Sequence, residues 1–371
     1  MKIYTHIFEK IICLENLFLA FDEFKKDKQK KKDVLAYEWN LEANIFNLYR
    51  DLKYHRYKHG VYASFYICDP KQRKIDKATV RDRVLHHAVF RILNPLFEKT
   101  FISHSFSCQI GKGTHKGINS LAKMLGKVSE NNRKPCFALK CDIKKFFGSV
   151  DHEILLSIIR KRIKDENVIW LIEEIICSFR SCHSVLDTES IDKIDSRFRG
   201  NDATEREREP RRGLPIGNLT SQLFANIYLN EFDYFIKHQL RIKQYVRFTD
   251  DFVVVSHSRD FLLDLMPKIN EFLANKLKIE LHPNKISIRK FHQGVDFLGY
   301  VLFPKYRLLR TKTKRRILKK LEKRVEEYKS GLIGRETLEQ SLNSYLGVLS
   351  HANTYGLQQD LKNKFWFWLN D

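Results

Sequence analysis

Apolar and polar positions along the first sixty residues repeat at helical spacing. Ile7, Ile11, Leu14 and Phe18 form one stripe and Leu41, Ile45, Leu48 and Leu52 another, with the Lys-rich turn KKDKQKKK between them, from Lys25 to Lys32. Over residues 61–80 the pattern changes to VYASFYICD and KQRKIDKATV, a strand pair joined by a Pro-containing turn. VRDRVLHHAVFRILNPLF is helical again, and Pro95 is expected to stop it. In CFALKCDI, residues 136–143, alternation puts Phe137, Leu139, Cys141 and Ile143 on one strand face and Asp142 on the other, near the strand's end. The helix that follows can be capped by Ser149 or Asp151 and carries the stripe Ile154, Leu155, Ile158 and Ile159. Residues 166–180 predict a second helix and SQLFANIYLNEFDYFIKHQL a third. Then come a hairpin in QYVRFTDDFVVVS, an amphipathic helix near 260–277, short strands in KISIR and DFLGYVLF, and a basic helical tail over 312–371. Strands alternate irregularly with helices and no repeat is visible, so the predicted class is α+β with a mostly antiparallel sheet.

One stretch breaks this order. SVLDTESIDKIDSRFRGNDATEREREPRR, residues 184–212, mixes charges of both signs without an apolar stripe and reads as an inserted, disordered loop. It also resembles the translated product of a short dispersed bacterial genomic repeat.

Composition narrows the class. The chain has 371 residues, more than one compact core usually holds, and 43% of them are apolar, enough to bury two or three subdomains. Lys plus Arg number 67 against 45 Asp plus Glu, a formal charge of +22 spread along the chain, so an extended polyanion is the natural partner. The seven Cys are scattered and form no CxxC pair, which suits reduced packing residues rather than a disulfide framework or a zinc site. No uninterrupted apolar segment is long enough to span a bilayer and the N-terminus lacks a small-residue cleavage site. The expectation is a soluble cytoplasmic protein without a membrane partner.

The candidate chemistry lies in the acids. Asp250 and Asp251 stand side by side in the middle of a strand pattern, where a tight turn would bring them to a hairpin tip. Alone, such a pair is an ordinary turn, because Asp favours turns. Asp142, at another strand end, supplies a third carboxylate. Like charges a few ångströms apart raise one another's pKa unless a cation intervenes, and three carboxylates without a Cys or His ligand suit hard, oxygen-loving Mg²⁺. Two such ions serve in-line phosphoryl transfer.

The motifs CDIKKFFGSVDHEIL, GLPIGNLTSQLFANIYLNEFD, RFTDDFVVV, LHPNKISI and FLGY stand in the order of a reverse transcriptase. From about residue 60 to 355 the chain resembles the bacterial enzymes of that family, and GLPIGNLTSQ is most like those of diversity-generating retroelements. The resemblance implies a right-hand polymerase: fingers over 1–135, palm over 136–303 with the loop 184–212 inserted, and a helical thumb over 304–371. It implies Asp142, Asp250 and Asp251 as catalytic metal ligands for two Mg²⁺ ions, with Mn²⁺ able to substitute. Phe147 matches the aromatic steric gate against a ribose 2′-hydroxyl, and Lys74 and Arg81 match the triphosphate-binding cations. Ile216 stands where many relatives carry Gln, and the resemblance implies that this position and Gln222 shape the pocket for the templating base, Gly217 allowing a bend that lets the main chain approach a nucleotide or template base; Lys285 matches a lysine proposed to protonate pyrophosphate. Phe297, Leu298, Gly299 and Tyr300 match the primer grip. Phe248 departs from the family's usual Tyr, keeping the ring and losing the hydroxyl. The implied partners are template RNA, a DNA or RNA primer, deoxynucleoside triphosphates and, for a diversity-generating element, a small basic accessory protein. Two alternatives stay open: an intron-like or defence-associated reverse transcriptase of ordinary fidelity, and a non-catalytic RNA-binding relic.

Overall fold

The computed structural model describes residues 2–68, 72–179 and 211–370. Most of the insertion expected over 184–212 lies outside these residues. The fold is α+β, as predicted, and every named strand pairing is antiparallel. The chain divides into two compact units, one made of Met1–Ile102, Ile143–Leu240 and Ile269–Leu281, the other of Ser103–Asp142, Arg241–Lys268 and His282–Asp371.

In the first unit, helices Phe8–Ile12, Leu14–Lys25, Lys32–Trp39 and Leu41–Lys53 replace the two broad helical stretches of the sequence pattern. The strand pair is β1, Ala63–Ile67, and β2, Arg73–Lys77. The helix Val80–Glu98 is the axle of this unit; Leu14–Lys25 and Leu219–Tyr234 both pack along it. Its start is fixed by Thr79, whose hydroxyl accepts from the Asp82 N–H. Asp82 is fully buried, and its carboxylate accepts from Tyr57 Oη at 2.7 Å, Thr79 Oγ1 at 2.6 Å and the Gly60 N–H at 3.1 Å. A buried charge is tolerable only when hydrogen-bonded in this way. Pro95 does not stop the helix. Only Leu96, Phe97 and Glu98 follow it, so the proline removes one ladder bond in the last turn while Leu93 and Phe97 stay buried.

Of the two candidate caps after Asp142, Asp151 does the work: its Oδ1 accepts from the N–H groups of Glu153 and Ile154 and starts the helix His152–Arg160. The chain that returns at residue 211 is tied to the same place. Arg211 O accepts from the His152 N–H at 3.0 Å, the Gly213 N–H donates to Val150 O at 2.8 Å, and the Leu214 N–H donates to Phe147 O at 2.6 Å.

The second unit is built on a four-stranded sheet. Strands β3, Phe137–Asp142, β4, Tyr245–Phe248, β5, Asp251–Ser256, and β6, Ser287–Lys290, lie in the order β4-β5-β3-β6. A smaller sheet follows: β7, Val295–Phe297, β8, Tyr300–Leu302, and β9, Arg307–Leu309. The basic tail forms three helices, Thr311–Lys329, Arg335–Ser350 and Tyr355–Asn370. One hydrophobic core runs through the unit, from Val246, Val253 and Val255 on the larger sheet through Phe297 and Tyr300 to Leu321 and Phe365 in the tail. Among the described residues no helix is long and apolar enough to cross a membrane.

Candidate active site

All three predicted acids belong to the second unit, and strand register determines which of them meet. Asp251 is not at the hairpin tip. It is the first residue of β5 and lies opposite Phe248 in β4 and opposite Asp142 in β3. Directly opposed residues share a face, so Asp142, Asp251 and Phe248 point the same way. The tip is the two-residue turn Thr249–Asp250, and Thr249 takes a left-handed φ of 52°. The turn therefore brings Asp250 beside its neighbour, which simple alternation along a strand cannot do.

A side chain that the sequence pattern does not single out braces the turn. Arg247 is fully buried; its Nη1 donates to Thr249 O at 3.1 Å, and its backbone bonds both ways with the segment 104–106. Thr249 Oγ1 donates to Ser107 Oγ at 2.6 Å. An arginine between Val246 and Phe248 is the available clue, since a guanidinium in a buried strand needs partners. Asp142 is held at the backbone, where its carbonyl accepts from the His282 N–H at 2.8 Å.

Cations surround the acids. Lys285, on the short turn Pro283–Lys285, donates through Nζ to Asp142 Oδ1 at 2.7 Å. Lys140, on the same β3 face as Asp142, stands 3.6 Å from Asp251 Oδ2. Asp251 Oδ1 is buried and has no hydrogen-bond partner. Burial, opposed by Lys140 and reinforced by Asp142, Asp250 and Asp296, pushes the Asp251 carboxyl up to about 6. Among the described residues, no three His, Cys, Asp or Glu side chains already enclose a point where an ion would sit. The donor set is nonetheless oxygen only, and the orphaned Asp251 Oδ1 is an acceptor lacking a cation or donor. These residues fit a hard divalent cation in kind.

The hairpin β7–β8 is a second two-residue turn, with Leu298 at φ 49° and Gly299 at φ 89°. Phe297 and Tyr300 are buried in the core, and Tyr300 Oη donates to Val348 O at 2.9 Å. Of the four predicted primer-grip residues, Leu298 and Gly299 are half-buried, and Leu298 packs against the same core.

The remaining predicted residues belong to the first unit. Phe146 is buried and its neighbour Phe147 half-buried, the two rings meeting edge-on at 5.5 Å, so the second ring is the one left partly free. Lys74 is exposed and stands 3.6 Å from Asp76. Arg81 is bound elsewhere, with Nη2 2.6 Å from Asp51 Oδ2 and its guanidinium over the Tyr57 ring. The structure thus gives the two cations separate carboxylates. Ile216 O accepts from the Asp76 N–H at 3.1 Å, which ties GLPIGN to β2. Gly217, at φ 119°, lies so close to Ile75 that an added Cβ would stand 3.0 Å from Ile75 Cγ2. Gly217 and Gln222 line a cavity of about 320 Å³ together with Phe65, Ile75, Arg83 and His87.

A tripod of strand-end and turn acids, flanked by lysines, on an antiparallel sheet agrees with what the chain matches by sequence. The family described as Reverse transcriptase (RNA-dependent DNA polymerase) matches residues 68–302. The chain belongs to that family. This reverse transcriptase domain is 24% identical over 268 residues to protein YkfC of Escherichia coli, covering 63% of the chain and 64% of YkfC. It is 23% identical over 369 residues to the group II intron-encoded protein LtrA of Lactococcus lactis, covering 81% of the chain and 57% of LtrA. A third relative, the uncharacterized 91 kDa protein in the cob intron of Schizosaccharomyces pombe, is 25% identical over 168 residues, 45% of the chain and 17% of that protein. The chain thus spans less than two thirds of the length of these relatives.

Proposed function

We propose that the protein is an RNA-directed DNA polymerase that adds deoxynucleotides to a primer 3′-hydroxyl on an RNA template. The observation that carries this is the pairing of Asp142 with Asp251 across β3 and β5, with Asp250 in the adjoining turn, inside a reverse transcriptase domain. Two Mg²⁺ ions, or Mn²⁺ in their place, held by Asp142, Asp250 and Asp251, would neutralise charge on the attacking and leaving oxygens. Lys285, within reach of Asp142, is the proton donor to departing pyrophosphate. Lys74 is the exposed cation for the triphosphate, and Arg81 joins it by exchanging Asp51 for phosphate oxygens. Phe147 excludes the ribose 2′-hydroxyl. Gly217 and Gln222, on the rim of their cavity, meet the templating base. The basic helix Thr311–Lys329 grips duplex backbone, in keeping with its exposed lysines and arginines. The functional division is fingers over 1–135, palm over 136–303 and thumb over 304–371.

Within that activity, GLPIGNLTSQ supports an error-prone enzyme of a diversity-generating retroelement, copying a template-repeat RNA with a small basic accessory protein and misreading template adenine. The likeness to the intron-encoded LtrA supports the second subtype, an intron-like enzyme of ordinary fidelity. A non-catalytic relic is disfavoured, because all three acids are present and the segment entering GLPIGN is anchored at Gly213 and Leu214. The test is Mg²⁺-dependent extension of a DNA primer on an RNA template, with Asp250→Asn alongside. The unmodified protein should extend and the variant should not. Absence of extension by both overturns the polymerase proposal, and equal extension by both overturns the metal ligands. Sequencing the products separates the subtypes: errors concentrated opposite adenine favour the retroelement enzyme.

A further inference from the structure

The turn that carries Asp250 holds a residue in an unfavourable conformation. Thr249 is the first of the two turn residues and has a φ of 52°. Two-residue hairpin turns favour Gly or Asn there, because a side chain at positive φ crowds the backbone, and a β-branched side chain crowds it most. The surroundings over-determine the position. Arg247, buried beside the turn, donates through Nη1 to Thr249 O at 3.1 Å, and Thr249 Oγ1 donates to Ser107 Oγ at 2.6 Å. Ser107 is in turn fixed by its own segment. Ser105 bridges Arg247, the Phe106 N–H donates to Arg247 O, and the Arg247 N–H donates to His104 O, both at 3.0 Å. Gln109 Nε2 donates to Ser105 Oγ at 3.0 Å and Lys112 Nζ to Ser105 O at 2.8 Å, so the bracket is tied from both sides. Ser105 and Ser107 are both buried. Backbone strain persists where neighbours impose it, and it gathers at sites of function.

We propose that Ser107 and Thr249 are positioning residues: their hydroxyl bond holds the turn in its strained form, and that form presents Asp250 to divalent cations beside Asp142 and Asp251. The proposal rests on the metal-binding role given above to those three acids. A bond that only fastened the segment 103–112 to the sheet would be missed equally whichever residue replaced Thr249. A bond that holds strain is missed most when the replacement is β-branched and least when it is Gly.

The experiment measures Mn²⁺ binding to the full chain without nucleic acid, by electron paramagnetic resonance, together with primer extension on an RNA template. The variants are Ser107→Ala, Thr249→Val, Thr249→Gly, Thr249→Ser and Asp250→Asn. Ser107→Ala and Thr249→Val should each weaken Mn²⁺ binding by about ten-fold, as loss of a support behind a metal ligand does. Both should lower kcat by about as much while KM for deoxynucleotide stays within about two-fold. Thr249→Ser keeps the hydroxyl and Thr249→Gly removes the strain, so both should stay within about two-fold of the unmodified protein in each measurement. Should Thr249→Val fail to fold, Ser107→Ala and Thr249→Gly still stand opposed. Unchanged Mn²⁺ binding in Ser107→Ala, or a loss in Thr249→Gly as large as in Ser107→Ala, overturns the proposal. Asp250→Asn separates the two levels: if it binds Mn²⁺ as well as the unmodified protein, the metal reading fails and the proposal falls with it.

Discussion

Both β1–β2 and β4–β5 are antiparallel hairpins, yet all five residues of β1 are exposed while Tyr245, Val246 and Arg247 of β4 are buried. In β5 the four residues after Asp251 are buried as well. A two-stranded ribbon with one wholly exposed strand is marginal by itself, and β2 is steadied through the Asp76 N–H on Ile216 O. The hairpin β4–β5 instead has a third strand beside it, core beneath it, and a buried guanidinium under its turn. Holding like charges together against their repulsion takes that rigidity. Keeping an exposed lysine such as Lys74 in solvent does not.

The comparison breaks most visibly if the charges on the rigid hairpin are removed. Asp142→Asn should lower primer extension by about a thousand-fold while the thermal midpoint stays within a few degrees or rises, since one repelling charge is gone. Extension rates and thermal melts of one preparation check both halves. Next in size, Arg247→Ala should cost about 3 kcal/mol in urea unfolding, from the lost donor to Thr249 O and the space left in a packed site. Were β4–β5 as loosely held as β1–β2, that cost would fall below about 0.5 kcal/mol.

A smaller effect comes with pH. The Asp251 carboxyl is raised to about 6, above its ordinary value, because burial disfavours its charge. Between about pH 4 and 6 the folded state keeps a proton that the unfolded chain has released, so this group's stabilisation is present below about pH 4 and is lost as the pH rises through about 6. In EDTA, Asp251→Asn should abolish that decline and raise stability near neutral pH by about 1–3 kcal/mol, read from urea unfolding on both sides of the window. The smallest change belongs to the exposed hairpin. Lys74→Ala should leave stability within about 0.5 kcal/mol and raise the KM for deoxynucleotide by about ten-fold.

Much of the fold is local enough to read from the chain. Alternation in CFALKCDI and QYVRFTDDFVVVS marks β3, β4 and β5, and Asp151 can be named as a cap because capping needs only neighbours in sequence. Pro95 misleads because its effect depends on how much helix follows. The strand Arg307–Leu309 is missed, being only three residues long and defined only by pairing with β8. The motif FLGY reads as a primer-gripping hairpin, while the burial of Phe297 and Tyr300 in the core follows only from packing. Arg247 and Lys140 are invisible as supports of the acids, since Arg247 depends on the backbone of segment 104–106 and Lys140 on Asp251, both far along the chain.

From the order of its residues alone, this protein is an α+β chain with three acids at strand ends and turns, carried by reverse transcriptase motifs. Periodicity and turn chemistry are short-range, so they survive in one dimension. Tertiary structure decided that Asp251 rather than Asp250 faces Asp142, that Lys285 and Lys140 answer them, and that Asp251 is the acid left half-satisfied. Register, burial and charge are set by segments more than a hundred residues apart, and no local pattern contains them.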